Sequence, residues 1–431
     1  MRWVTGVLAL TMAASAAAQR APAPQHLEVT LAEAIQRALE VQPLMVAARG
    51  EVRTSGAAMR ASNGAFLPTI TAGGSWGRRG GTTLDNANRI VTSPTVNSYS
   101  GSISGNVDLF RGFRHIADRR ASAATQDAAD AGLVNQRFKV TLDTRGFFYD
   151  ALATEELVRV AESQVRRAQQ QLQISIEKLH AGSATRSDSL RSTVDFGNAR
   201  IALLEAQANL ATAQANLGRQ IGVDQPVRAV PDSILPPLPD TAALRAIVVD
   251  RAPQVEQKNA QARAARARVV ASRETYFPRI IYSAGTTTSN PEAPWENQTP
   301  YLKGWNVGIG VSLTLFNGFS RESGVVSASV ARDNAEADAA DTRRAVTAQL
   351  AQQIAALTTA HEKIDIARAN LAAATEDLRV QNERYRVGAA TILDLLTSQA
   401  ALTQAEQNFV QVRFDYLIAR AQLEALVGHE L

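Results

Sequence analysis

The side chains able to do chemistry are few and stand apart. His26, His115, His180, His361 and His429 are the only histidines, and no two have zinc-ligand spacing. GSISG (101–105) has the outer glycines of a nucleophile elbow, but Ile103 holds the place of its serine. GRRGG (77–81) lacks the strand-to-helix setting of a phosphate cradle. With no cysteine, disulfides and thiolate metal sites are excluded. The expectation is a chain that is not an enzyme and uses no cofactor and no metal. What remains is a glycine, a threonine and an aspartate close together in two places, AGSATRSD (181–188) and VGAATILD (387–394). Glycine suits a sharp helix end, and an aspartate in the first turn of the next helix stabilises its dipole.

Both stretches belong to a repeat. EKLHAGSATRSDSL (177–190) resembles ERYRVGAATILDLL (383–396), and VDLFRGF (107–113) resembles LTLFNGF (313–319), each at an offset of 206 residues. GAFLPTITAGGSW (64–76) resembles TYFPRIIYSAGTT (275–287) at a slightly longer offset, as a changed loop between paired strands would produce. Every proline lies outside 95–225 and 301–431, so those windows are free to be long helices. Within them Val158, Ala161, Val165, Ala168, Leu172, Ser175 and Leu179 step by three and four. Ile364, Ala367, Leu371, Ala374, Leu378, Gln381 and Tyr385 repeat the seam. Ahead of the first strands, Thr30 with Glu33 reads as a capping box, and Asp240 stands where the second repeat needs its N-cap.

The predicted boundaries are a signal peptide over 1–18, an N-terminal extension over 19–29 and a first repeat over 30–222. That repeat has strands at 66–76 and 99–110, a long helix at 113–179 and a return helix at 185–221. A Pro-rich linker over 223–240 precedes the second repeat, 241–431, with strands at 276–286 and 305–316 and helices at 319–386 and 392–428. Segments 77–98 and 286–304 read as exposed loops. The fold class expected is mainly α with a small membrane β-barrel, built from a duplicated helical-hairpin and β-hairpin unit.

The strands alternate. YSGSISGNVDL (99–109) has apolar residues and glycine on one parity and serine, asparagine and aspartate on the other. Strands of about eleven residues reach roughly 35 Å, the span of a tilted membrane strand. Trp76, Tyr99, Ile103, Val107, Phe110, Trp305 and Phe316 are then the lipid-facing and girdle residues. An open sheet edge is not left in hydrocarbon, so four strands per chain must close between copies. Eight strands are filled by side chains and twelve leave a lumen, which makes a homotrimer the expected pore. A formal charge of +4, with dispersed basic residues, argues against a nucleic-acid partner. The alternative is a non-conducting periplasmic coiled-coil scaffold or adaptor protein with a soluble hairpin.

Nearly the whole mature chain resembles the TolC family of outer-membrane efflux channels. The most specific match is RYRVGAATILDLLTSQAALTQAEQNFVQVRFDYLIARAQLEALVG (384–428), with its Val-Gly-x-x-Thr tip and an aspartate three residues on. The resemblance implies a trimer with a twelve-stranded barrel and a long α-helical periplasmic tunnel, in the outer membrane of a Gram-negative-type bacterium. It implies a passive conduit for efflux or type I secretion, with outer-membrane lipid, a periplasmic adaptor and an inner-membrane pump of RND, ABC or MFS type as partners. Carried over by residue, Val387, Gly388, Ala389 and Thr391, with Gly182, Ser183 and Thr185, are adaptor-docking tips, and Asp394, Tyr385 and Thr397 belong to the periplasmic entrance. The prototype of that family has an arginine in the tip where Ala390 stands here and a second entrance aspartate where Thr397 stands. Copies of Asp394 around a narrow entrance would form a ring attractive to cations. The other reading of Asp394 is an exposed residue serving its own helix dipole.

Overall fold

The computed structural model describes residues 27–84, 88–231, 235–240, 251–291 and 300–431. The expected signal peptide, the helix after Asp240 and the middle of the second inter-strand segment lie outside the described residues. The first elements are β1 (Leu27–Val29), α1 (Leu31–Val41), α2 (Pro43–Gly64), β2 (Thr69–Leu84) and β3 (Ile90–Arg111). Then come α3 (Arg114–His180), α4 (Arg186–Ile221), β4 (Val227–Ala229) and α5 (Pro253–Ser272). A 3-10 turn at Arg273–Tyr276 leads to β5 (Arg279–Asn290), β6 (Leu302–Ser312), α6 (Ser320–Arg386) and α7 (Ile392–Val427).

Proline-free sequence with three-four spacing gives two helices of 67 residues each, α3 and α6, or roughly 100 Å apiece. Their seam residues turn inward: Ala161, Ala168 and Ser175 are buried on α3, with Ala199, Ala213 and Leu217 on α4. Ile364, Ala367, Leu378 and Tyr385 do the same on α6, with Leu402, Tyr416, Ala419 and Leu423 on α7. Alanine at so many of these positions lets the helix axes approach closely. Ion pairs then tie the two hairpins together through α3 and α7. The Arg167 guanidinium donates to both Glu406 oxygens, at 3.1 and 2.9 Å, and Arg145 pairs with the buried Glu424.

The main sheet is antiparallel with order β2-β3-β5-β6. Each strand is continued by one helix, and α2, α3, α5 and α6 lie side by side in the same order. Strands and helices therefore form one continuous wall. Register gives its sheet two unlike faces. Ala72, Ile103, Thr286 and Trp305 stand across from one another, as do Ile70, Gly105, Ala284 and Val307 and, next, Val107, Tyr282 and Ile309. The opposite face carries Thr71, Ser104, Gly285 and Asn306, then Gly73, Ser102, Thr287 and Gly304.

Four strand expectations differ from the structure, the first being that 286–304 is a loop between strands at 276–286 and 305–316: β5 and β6 are Arg279–Asn290 and Leu302–Ser312 and pair on to Ser289 and Leu302. Segment 77–98 is not one exposed loop: β2 and β3 pair past Gly77 and Ser98 to Leu84 and Ile90. Trp76 and Tyr99 thus face each other within a ladder rather than at strand ends, level with Asn290, the last residue of β5. Phe316 lies beyond β6, because the chain turns there. Gly318 and Phe319 both have positive φ, 64° each, as do Gly112 (54°) and Phe113 (66°). The shared Leu-Phe-x-Gly-Phe is therefore the strand-to-helix corner. Glycine is required at 112, where a Cβ would lie 2.7 Å from the Glu274 carbonyl oxygen. The left-handed phenylalanines each stack edge-on against the Phe three residues earlier, at 5.4 and 5.5 Å. Finally, the Pro-rich linker contains β4, which pairs in parallel with β1 of the N-terminal extension. Val29, Val227 and Ala229 are thereby buried against Phe148 and Leu217.

Candidate functional site

The two matched tips are built from the same backbone parts. α3 ends in a Schellman turn: Ser183 N–H donates to Lys178 O at 2.9 Å and Gly182 N–H to Leu179 O at 3.0 Å. α6 ends likewise, with Ala389 N–H to Arg384 O at 2.7 Å and Gly388 N–H to Tyr385 O at 3.3 Å. Gly182 and Gly388 have φ of 71° and 80°, a conformation that strains any residue with a Cβ. Three residues later each return helix opens on a capping box. Thr185 N–H and Oγ1 donate to Asp188 Oδ2 at 2.9 and 2.8 Å, and Asp188 N–H returns to Thr185 Oγ1 at 3.2 Å. Thr391 and Asp394 repeat the set at 2.9, 2.8 and 3.3 Å. These bonds, the one from the threonine backbone first, hold both carboxyls below the usual aspartate range.

Asp394 therefore caps its own helix, as the second of the two readings has it. All three bonds use Oδ2 or the backbone, and Oδ1 takes none. Asp394 and Thr397 are exposed on the first two turns of α7. Thr397 spends its hydroxyl on Leu393 O at 2.8 Å. Tyr385 does not join them. As the last step of the α6 seam its ring is buried among Leu378, Ile392, Leu395 and Leu402. Gly182, Ser183, Thr185, Val387, Gly388, Ala389 and Thr391 are all exposed at the turns.

One residue at the tips escaped sequence reasoning. Lys178, near the end of α3, reaches across to the other hairpin and donates from Nζ to Tyr385 O at 2.7 Å. The same ammonium lies 3.8 Å from the centre of the Tyr385 ring. The sequence carried only a weak signal for this: Lys178 is one of five lysines in a chain rich in arginine.

Among the described residues no helix is long and apolar enough to cross a membrane, and no cluster of His, Asp or Glu has metal-binding geometry. The sequence profile of the outer membrane efflux protein family matches residues 34–223 and 246–429. The chain belongs to that family. Outer membrane efflux proteins are channels rather than enzymes, and this one resides in the outer membrane and extends into the periplasm. It is 26% identical over 342 residues to the pyoverdine export outer membrane protein OpmQ of Pseudomonas aeruginosa, covering 77% of this chain and 69% of the relative. The alkaline protease secretion protein AprF of the same species is 22% identical over 339 residues, covering 77% and 70%. A crystal structure of CusC superposes with a TM-score of 0.81 at 17% identity, over 94% of this chain and 93% of that one, so the fold is the same.

Proposed function

We propose that three copies of this chain close into a twelve-stranded barrel continued by a helical tunnel. The assembly is a passive conduit of a tripartite efflux or type I secretion system, joined to a periplasmic adaptor and an RND, ABC or MFS pump. One observation carries the reading: a four-stranded sheet whose central rows are largely apolar on one face and rich in serine, threonine, glycine and asparagine on the other, with unpaired edges at β2 and β6. Closure through copies satisfies both edges. The face bearing Ile103, Val107, Trp305 and Val307 then meets lipid, and the serine-threonine face lines the pore. Exposed turns at Gly182 and Gly388, with Val387 69% exposed, suit adaptor docking. Asp394 Oδ1, left free by the capping box, suits a cation-attracting ring at the entrance. OpmQ is named for a small molecule and AprF for a polypeptide, so cargo of both classes is proposed for the family's shared conduit, with the pump selecting it.

Purified protein in planar bilayers tests this. Stepwise cation-selective conductance, blocked by trivalent cations from the periplasmic side and less so in Asp394→Ala, is expected. Unchanged block in the variant removes Asp394 from the entrance and keeps the conduit. Failure of folded protein to insert would favour the periplasmic scaffold instead.

A further inference from the structure

Just below the sheet, α3 and α5 leave a groove of about 820 Å³ between them. Its walls include Phe113, Val270 and Phe277, which are 54%, 48% and 43% exposed. Its rim carries Arg120, Arg263, Arg266 and Arg273, against Asp127 as the one acidic lining residue.

Register fixes which side of the wall the groove is on. A bulge at Leu109 brings Phe110 opposite Ile280, two residues from Tyr282, which faces Val107. Phe110 thus shares the apolar face of the sheet. Its ring stacks edge-on against Phe113 at 5.4 Å and Phe277 at 6.4 Å, so the groove continues that face downward. The helix order α2, α3, α5, α6 places it mid-wall, away from the α2 and α6 edges where another copy would join.

Charge differs across the wall at this level. On the polar side Arg111 pairs with Glu274 at 2.8 Å and Arg279 with Asp108 at 2.9 Å. On the groove side Arg263 pairs with Asp127 at 3.1 Å and Arg266 with Glu336 at 2.6 Å. Arg120 and Arg273 have no acidic partner among the described residues. An apolar trough at the periplasmic edge of the membrane, with two unpaired guanidinium groups at its rim, is complementary to a lipid phosphate above which acyl chains continue into the bilayer.

We propose that this groove seats one anionic phospholipid of the periplasmic leaflet. Arg120 and Arg273 hold its phosphate, and its chains run up past Phe113, Phe277 and Phe110 onto the sheet. The volume falls in the roughly 300–1,000 Å³ range of small-molecule sites, enough for the headgroup and glycerol. The inference rests on the apolar sheet face meeting lipid.

The test uses full-length protein in detergent, incubated with equal amounts of phosphatidylglycerol and phosphatidylcholine of matched chains and read by native mass spectrometry. Wild type should retain phosphatidylglycerol on the order of tenfold better, and the Arg120→Gln/Arg273→Gln double variant should retain both alike. Arg344→Gln, which alters an arginine paired with Asp341 away from the groove, should keep the preference. Equal retention by wild type, or a preference that survives in the double variant, overturns the proposal. So does displacement by inorganic phosphate as effective as by phosphatidylglycerol, which would mean a simple anion site. Quenching by brominated phosphatidylcholine, compared between wild type and Trp305→Phe, reads the sheet face separately. Quenching of Trp305 without headgroup preference sinks the groove alone; absence of quenching sinks the lipid-facing reading beneath it.

Discussion

The two helical hairpins end in the same turn and are filled by different chemistry. Both use a left-handed glycine, a threonine N-cap and an aspartate at the third helical position. One polar level is also common to both: buried Gln171, Ser175 and Ser192 are linked at 3.2 and 2.8 Å in the first, and Ser398 donates to Asp377 at 2.5 Å in the second. Nearer the turn they part. Arg186 and Ser189 occupy the places that Ile392 and Leu395 occupy 206 residues later. In the second hairpin Ile392 and Leu395 close a cluster over Tyr385 and Leu378. Duplication thus kept the backbone punctuation, while apolar side chains fill the α6–α7 tip and polar ones stand at the matching places of the α3–α4 tip.

Truncating the fill should break the comparison most visibly. Leu395 is fully buried, so Leu395→Ala should cost about 3 kcal/mol of local stability. Ser189→Ala, half-exposed at the matching place, should stay within about 0.5 kcal/mol. Amide exchange at the two tips reads the difference, expected on the order of a hundredfold. Similar acceleration in both variants would mean the tips are equally packed.

Lys178 is where the unlike tips are tied to each other. Lys178→Met removes a charge-assisted bond and a cation–π contact, together worth roughly 1–2 kcal/mol at a half-exposed site. Amides of 387–389 should exchange about tenfold faster, and Lys178→Arg should restore part of the protection. No change in the α6–α7 turn would show that the hairpins hold their spacing through α3 and α7 alone.

The legible parts of this molecule were those with a period. Heptad-like steps in Pro-free windows predicted long helices at 113–179 and 319–386, and α3 and α6 occupy Arg114–His180 and Ser320–Arg386. Alternation at 99–109 marked β3 and its two faces. The outer half of the first hairpin was illegible because 77–83 holds only glycine, arginine and threonine and 92–98 is polar but for a proline and a valine, so neither alternates, and backbone pairing continues the ladder there. Phe316 was misplaced because Leu313 and Leu315 extend the apolar alternation into a corner that Gly318 and Phe319 define by conformation. The tips were legible as turns from their Gly and Thr. The cross-hairpin contact of Lys178 with Tyr385 joins residues 207 apart in sequence and obeys no period.

The smallest expected effect is also the one in which the tips should agree. Thr185→Ala and Thr391→Ala each remove an N-cap of identical geometry and should each cost about 1 kcal/mol of local helix stability. The linked carboxyls of Asp188 and Asp394 are held below their ordinary value near 3.8 by hydrogen bonds from Thr185 and Thr391. A carboxyl whose folded pKa is depressed contributes stability above its unfolded pKa and loses it as the pH falls through the folded value. Protection of the first turns of α4 and α7 should therefore be constant from neutral pH down to about 4 and decline below it, with the difference between wild type and each threonine variant shrinking together. A decline at α4 alone, with α7 unaffected, would mean that Leu395 and its neighbours hold the second tip without its cap, and that the contrast between the tips is larger than packing of a single leucine accounts for.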